Sequence, residues 1–244
     1  MDTQANDRPV VVKRPAPQDA PPLRAAQEAS ILTEKRALER LSGHPVITEL
    51  RASSTFRVGG TTHHYIVMDR AEGEIVEHLI LQQGKLPELE TLVIMDHLLN
   101  LLAEAHAQHV IYNDVDAKHL FWNRDTYRLK VIDWGNAILK DEPNAPAAIA
   151  PTTDIFQVGE LLYFLYQGGA RLNHNTTSDG EYHVIFNGDV PEPIQEIITR
   201  ATHPNIKTRR YASVRALREA LTKYRQPMEQ MRNQSVKNSS GFGR

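Results

Sequence analysis

The sequence predicts an α+β protein of two lobes, in which a small lobe of strands and one helix precedes a larger, mainly helical lobe. Two observations support this prediction. Short β-branched runs are concentrated before residue 70, and helical patterns dominate afterwards. We assign the small lobe to residues 1–70 and the large lobe to residues 71–225, with a cleft between them. Residues 226–244 are polar and Gly/Ser-rich, which predicts a disordered tail.

The small lobe is predicted to contain three strands and one helix. A β-branched run at Val10–Lys13 forms the first strand, and a proline-rich stretch ends it. Residues Ala25 to Leu41 favour a helix, because their apolar side chains recur at helical spacing. Two further strands are expected at Ile47–Arg57 and Tyr65–Asp69, joined by a glycine turn.

The large lobe is predicted to be built on helices. The first, Leu89–His109, has a broad apolar face, and the second, Asp154–Gln167, is apolar on most sides and should lie inside the lobe. Shorter helices are expected at Pro193–Ala201 and Ser213–Arg225. A strand at Leu129–Ile132 lies between the two long helices in the chain.

The composition excludes several classes of function. The chain has 244 residues, of which 41% are hydrophobic and 24% are charged, as in an ordinary globular protein. Cysteine is absent, which excludes disulfides, thiolate metal sites and cysteine nucleophiles. The net charge of -2 provides no bulk basic field for nucleic acid or a membrane surface. Because no apolar run is long enough for a membrane span, we expect a soluble, cytoplasmic protein.

Glu34 lies on the apolar stripe of its own predicted helix, three residues after Ile31 and four before Leu38. An unpaired carboxylate there would be costly, so Glu34 needs a cationic partner. Lys13, at the end of the first strand, is the candidate. The alternative is that both residues are solvated surface charges.

A second group of polar residues surrounds Asp114, Asp116 and Asp133, which lie between apolar anchors, with Gly135 close behind. Carboxylate oxygens held in this way could bind a divalent cation. The alternative is an ordinary turn rich in aspartate.

Taken together, these segments resemble a protein kinase, specifically the Ser/Thr protein kinases, from about Val10 to Arg225. The strand VVVK resembles the one that carries the phosphate-binding lysine, and EASILTEKRALERLSGHPVI resembles the helix that supplies its glutamate. The other matching segments are the hinge YIVMDRAEGE, the catalytic loop VIYNDVDAKHLFWN, the metal-binding motif VIDWG, the central helix DIFQVG and the C-terminal helices ATHPNIKTRRYASVRALREAL.

The resemblance implies a role for each matching residue. Lys13, paired with Glu34, would bind the α- and β-phosphates of ATP, Asp114 would orient or deprotonate the acceptor hydroxyl, and Asp133 would bind Mg²⁺. The candidate hinge contacts of the nucleotide are Met68 (as gatekeeper), Asp69 and Ala71.

The resemblance also assigns packing roles. Leu38, Tyr112 and Trp134 would stack as an apolar spine between the lobes, and Asp154 would bond the backbone of the catalytic loop.

Several positions depart from the family pattern. Only nine residues precede VVVK, so we expect the glycine-rich loop over the phosphates to be lacking. His119 stands where the family places a metal-binding asparagine. It is a candidate metal ligand, although imidazole suits Mg²⁺ less well than an amide oxygen does. Asp116 occupies the usual lysine position, and Lys118 is a catalytic candidate that could approach the γ-phosphate.

The segment after Asp133 also departs from the pattern. It lacks an Ala-Pro-Glu motif, so Arg210 would lack its usual carboxylate partner, and Asn113 replaces the arginine that reads a phosphorylated loop. We therefore expect no activation by loop phosphorylation and a truncated platform for a peptide substrate.

Three functions remain open. The missing glycine loop and His119 favour a pseudokinase, which would act as a regulatory or scaffolding module with weak or no phosphotransfer. The presence of Lys13, Glu34, Asp114 and Asp133 favours an active atypical Ser/Thr kinase. The third function is that of a small-molecule phosphotransferase resembling aminoglycoside or choline kinases.

The expected cofactors are ATP and Mg²⁺, if nucleotide is bound at all. The expected partner is a protein partner or substrate. The exposed edge of the Val10–Lys13 strand suggests a homodimer or a partner strand that completes the small lobe.

Overall fold

The computed structural model describes residues 8–16 and 21–240 and confirms the predicted bilobal mixture of strands and helices. The small lobe contains an antiparallel sheet of three strands in the order β1-β3-β2. Its elements are β1 (Val10–Lys13), α1 (Pro21–Arg40), β2 (Leu50–Val58) and β3 (Thr61–Asp69). All four elements correspond to predicted ones, with ends that differ by a few residues.

Strand β1 lies at one edge of this sheet and pairs only with β3 among the described residues. The register places Lys13 opposite Ile66 and Val11 opposite Met68. Val11 and Val12 are exposed, whereas Ile66 is buried against the rest of the core. The register therefore brings the end of β1, and with it Lys13, over the cleft between the lobes.

The large lobe contains five α-helices and three small sheets among the described residues. The helices are α2 (Val76–Gln83), α3 (Glu88–Ala107), α4 (Pro151–Tyr166), α5 (Glu192–Thr202) and α6 (Val214–Ser240). The strands are β4 (Glu74–Ile75), β5 (Val110–Ile111), β6 (Leu120–Asn123), β7 (Arg128–Val131), β8 (Ile138–Leu139), β9 (His174–Thr176) and β10 (Tyr182–Val184). They pair in the orders β4-β6-β7, β5-β8 and β10-β9.

Helix α4 lies inside the large lobe, as its apolar sequence predicts. Ile155, Val158 and Leu162 are fully buried on it, and even its charged residue Asp154 has no exposed surface. Helix α5 crosses α4 at Gly159, where an added Cβ would overlap Thr202. The two helices therefore pack closely at this glycine.

Besides α2 and the short strands β4, β5, β6 and β8, the structure differs from the sequence expectations at two further places. The hairpin β9–β10 was not predicted, and it closes through a turn at Gly180, which has a positive φ of 87°. Helix α6 continues past Arg225 to Ser240, where a disordered tail is expected from residue 226. The continuation begins with an Arg225–Glu229 ion pair one turn apart, and Met228 packs on the core.

No helix in the described part of the chain is both long enough and apolar enough to cross a membrane.

Candidate functional site

Lys13 joins two carboxylates at the centre of the cleft. Its Nζ lies 2.6 Å from Oε2 of Glu34 and 2.6 Å from Oδ1 of Asp133. Glu34 is buried on α1, so the lysine supplies the cation that its position requires. The predicted pairing of Lys13 with Glu34 is therefore present, and Asp133 joins it.

The charges of these three groups are strongly coupled. Burial tends to lower the pKa of Lys13, but the nearby Glu34 and Asp133 carboxylates outweigh burial and raise it. Burial raises the pKa of Glu34 despite the attraction of Lys13. The pKa of Asp133 is lowered, because the hydrogen bond and charge of Lys13 outweigh the effect of burial. Asp133 thus stays ionised, as a metal-binding carboxylate must.

Helix α1 also contacts the turn that follows Asp133. The backbone N–H of Trp134 donates to Oε1 of Glu34 at 3.3 Å. The ring centroids of Trp134 and Tyr112 lie 4.5 Å apart. Both side chains are completely buried, and Leu38 on α1 is only 1% exposed. The three residues named as an apolar spine are thus buried between the lobes.

Asp154 organises the backbone of the catalytic loop. Its carboxylate accepts the N–H groups of Tyr112 at 3.0 Å and Asn113 at 2.7 Å, and it lies 2.7 Å from Nε2 of His106. Asn113 has a left-handed φ of 60°, which these bonds hold in place. The bond from Asp154 to the catalytic loop is present, as the sequence resemblance implies.

The carboxylate of Asp114 faces the cleft and, within the part of the chain that the structure describes, accepts one side-chain hydrogen bond. Asn136 Nδ2 donates to its Oδ2 at 2.9 Å. Sequence reasoning missed Asn136, because an asparagine just after a glycine also fits an ordinary turn. Its contact orients the group that resembles a catalytic base.

His119 lies between the two aspartates. Its Nδ1 is 3.1 Å from the backbone oxygen of Asp114, and its Nε2 is 3.6 Å from Oδ2 of Asp133. The residue is only 7% exposed, so the ring is held in this position by its surroundings. The side chain therefore occupies the space between the proposed base and the proposed metal ligand.

Lys118 is paired with Asp116. Its Nζ lies 3.1 Å from Oδ2 of Asp116, and its side chain is half-exposed. The carboxylate of Asp116 also accepts the backbone N–H of Lys118 at 3.1 Å and caps the short turn Ala117–His119. Because its ammonium is already paired, the role of Lys118 at a γ-phosphate stays a prediction.

The predicted hinge connects the lobes after β3. Met68 is buried, and its sulfur accepts a hydrogen bond from Thr48 Oγ1 at 3.7 Å. The Asp69 carboxylate is held by Arg51 through two bonds of 2.7 and 2.6 Å, and Ala71 is half-buried. None of these contacts tests whether Met68, Asp69 and Ala71 bind a nucleotide, so their roles at the hinge stay predictions.

Arg210 has contacts that replace its expected carboxylate partner. Its Nη1 donates to the carbonyl of Thr152 at 3.0 Å, and its guanidinium lies over the ring of Phe156 at 5.1 Å. The start of α4 is therefore secured without the family's glutamate.

The donor groups of the cleft fit a nucleotide with a divalent cation. Lys13 offers a cation for phosphate oxygens, and Asp133 offers a hard carboxylate ligand. Among the described residues, no three or more His, Asp or Glu side chains are arranged to hold a metal ion by themselves. A metal at Asp133 would thus need further oxygen ligands, such as phosphate.

The two lobes, the Lys13–Glu34 pair and the Asp114 loop define a protein kinase-like fold and site. Comparison with known families agrees, because the protein kinase domain model matches residues 3–154. The chain belongs to the protein kinase domain family.

Curated relatives include bacterial and eukaryotic kinases. The serine/threonine-protein kinase PknL of Mycobacterium bovis is 24% identical over 244 aligned positions, covering 86% of this chain and 58% of PknL. CDPK-related kinase 5 of Arabidopsis thaliana is 28% identical over 51% of this chain, and death-associated protein kinase dapk-1 of Caenorhabditis elegans is 25% identical over 60%. The chain spans 24% and 11% of the lengths of these two relatives.

Proposed function

We propose that this kinase domain binds Mg-ATP and acts mainly as a regulatory module with weak phosphotransfer. The observation that carries this proposal is the position of His119 between Asp114 and Asp133. An imidazole nitrogen is a poor ligand for Mg²⁺, so the site favours one metal ion, at Asp133, over two. The ion pair between Lys13 and Glu34 supports the binding of a nucleotide, whether or not its phosphate is transferred.

The bound nucleotide would supply the transferable phosphoryl group, and the metal would neutralise its charge. Lys13 would exchange its bond to Asp133 for phosphate oxygens, while Glu34 keeps the lysine in place. Asp114, oriented by Asn136, would accept a proton from a hydroxyl. With a single metal ion, less of the transition-state charge is neutralised, and transfer is slow.

An active protein kinase is the second candidate, because Lys13, Glu34, Asp114 and Asp133 are all in place. A cavity of about 560 Å³ beside the catalytic loop has carboxylates of Glu77, Asp116 and Glu160 in its lining. Arg171 also lies in the lining and Asp116 is paired with Lys118, so Glu77 and Glu160 are the carboxylates that would favour a basic segment of a protein substrate. No described contact favours a small-molecule phosphotransferase.

Thermal unfolding with and without Mg-ATP tests nucleotide binding. Ligand at a hundred times its dissociation constant stabilises a fold by roughly 2.7 kcal/mol, which raises the melting temperature of a domain this size by several degrees. Lys13→Met should remove the shift, whereas Lys35→Met, on the outer part of α1, should retain it. No shift at about millimolar ATP would overturn the proposal.

Radiolabelled transfer separates the two candidates. The regulatory module predicts transfer far below the usual kinase turnover of about 1–100 per second, with a general protein substrate. Turnover in that range, abolished by Asp114→Asn, would establish the active kinase instead.

The open edge of β1 supports a partner strand as part of the regulatory function. Val11 and Val12 are 43% and 54% exposed, and their strand has no second neighbour among the described residues. An unpaired edge of this kind invites strand addition by a second copy or a partner. Sedimentation of the Val12→Lys variant and of the unaltered chain tests pairing between copies. If both proteins sediment as monomers, self-pairing is refuted.

A further inference from the structure

Helix α1 is tied to the large lobe by two ion pairs outside the catalytic cleft. Nη1 of Arg36 lies 2.9 and 2.8 Å from the two carboxylate oxygens of Glu142. One turn later, Nη1 of Arg40 lies 2.7 Å from Oδ1 of Asp141. A second nitrogen of Arg40 is 3.9 Å from Glu142, so the four side chains form one network. We call this network the α1 clamp.

The acidic half of the α1 clamp is firmly attached to the large lobe. Asp141 and Glu142 follow β8, whose residues Ile138 and Leu139 pair with β5. The N–H of Lys140 donates to the carbonyl of His109 at 2.8 Å, and the N–H of Glu142 donates to that of Leu139 at 3.1 Å. The hydrogen bond from Arg40 also lowers the pKa of Asp141 and keeps it charged.

The basic half lies on the same helix as Glu34 but on another face. Arg36 is two positions after Glu34, and at 100° per residue it points about 200° away. Arg40 is one turn beyond Arg36 and shares its face. The clamp therefore holds the back of α1 while Glu34 contacts Lys13 on the front.

We propose that Arg36 and Arg40 are positioning residues that keep Glu34 against Lys13 through the fixed charges of Glu142 and Asp141. No phosphate is needed for this, because two carboxylates on the segment after β8 already provide the negative charge. The inference rests on the proposed nucleotide-binding function, since the position of Glu34 matters through Lys13. The clamp also explains how α1 is held in place although Asn113 stands where the family has an arginine that reads a phosphorylated loop.

Charge reversal tests the clamp in the nucleotide-free chain. Arg36→Glu should increase hydrogen–deuterium exchange of the α1 amides by at least about twofold, the scale of an exposed ion pair. Exchange in α3 should not change. The double variant Arg36→Glu/Glu142→Arg should restore protection, which a merely local loss of structure would not do.

A matched control lies on the same helix. Lys35 and Glu39 form an ion pair within α1 that does not reach the segment after β8. Lys35→Glu makes the same kind of charge change but breaks only this pair within α1, so Glu142→Arg should not reverse its effect on α1 exchange, whereas it should reverse that of Arg36→Glu. The neutral pair Asp141→Asn/Glu142→Gln repeats the test if the reversed variant does not fold.

Nucleotide affinity gives the second measurement. Arg36→Glu should weaken Mg-ATP binding by about two- to fivefold, and the swapped pair should recover it. Unchanged α1 exchange in Arg36→Glu, or no recovery in the swapped pair, would overturn the clamp. If the unaltered chain binds no nucleotide, the proposed function fails, but the exchange measurement still decides the inference.

Discussion

Asp154, inside α4, accepts the backbone N–H of Asn113 at 2.7 Å and so fixes a loop that lies 41 positions earlier in the chain. The same carboxylate receives donors from Tyr112 and His106. An ionised carboxylate offers acceptors to all three, whereas an amide has only one oxygen and brings donors of its own. The loop therefore depends on the buried carboxylate of Asp154.

We expect Asp154→Asn to lower the free energy of unfolding by about 1–3 kcal/mol, because buried donors lose their acceptor. Urea unfolding followed by circular dichroism measures the change. Asp125→Asn, on an exposed turn, is the control and should have little effect. Equal stability of the two variants would show that the Asp154 contacts contribute nothing.

His119→Asn should increase Mg²⁺-dependent phosphate transfer. Asparagine supplies an amide oxygen, which suits Mg²⁺ better than imidazole. We expect a gain of about tenfold, the change that 1.4 kcal/mol of additional transition-state stabilisation produces. The measurement is radiolabelled transfer, with His109→Asn, outside the cleft, as control. A rate that falls would mean that His119 itself assists the reaction.

Gly159→Ala should destabilise the crossing of α4 and α5. A Cβ at this position would lie 2.6 Å from Cγ2 of Thr202 and 2.9 Å from Cβ of Ala201. Overpacking of this kind costs about 1–3 kcal/mol, more than alanine gains over glycine in a helix. Thermal unfolding measures this loss of stability. The double variant Gly159→Ala/Thr202→Ser lacks the nearest methyl group and should recover part of the loss. Full stability of the single variant would contradict the close packing.

Stability should fall as the pH falls below about 6.5, the usual pKa of histidine. Burial lowers the pKa of His97 and of His44, although Asp96 and Glu104 act in the opposite direction. The unfolded chain then binds protons at a higher pH than the folded protein, so acid favours unfolding. The carboxylates with lowered pKa, such as Asp133, lose their contribution only at much lower pH.

Urea unfolding at about pH 5.5 and about pH 7.5 measures this dependence. His97→Phe should reduce it, because the ring against Trp122 is kept while the titrating group is removed. His183→Phe, on an exposed strand, is the control. The same pH dependence in all three proteins would exclude His97 as a cause.

The ion pair of Lys13 and Glu34 could be predicted because its signal is local. Glu34 lies on an apolar stripe, and such a position demands a cation. The contribution of Asp133 could not be derived from the local pattern, since it is 120 positions from Lys13. Arg36 and Glu142, 106 positions apart, are equally invisible to helical or strand periodicity.

Two other differences have identifiable causes. The hairpin β9–β10 has an Asp179–Gly180 turn between short polar strands, a signal that could have been recognised. The extension of α6 could not have been predicted, because a polar composition alone does not distinguish a solvated helix from a disordered tail. There the packing of Met228 on the core favours helix.

Two residues of the cleft have left-handed backbones, Asn113 with φ 60° and Asp133 with φ 62°. Outside glycine this conformation costs free energy, which here is offset by bonds from Asp154 on α4 and Lys13 on β1. A peptide of residues 109–136 alone would lack both bonds and would relax to other backbone angles. The backbone of the site is thus set by residues outside it: Asp154 of the large lobe holds Asn113, and Lys13 of the small lobe holds Asp133.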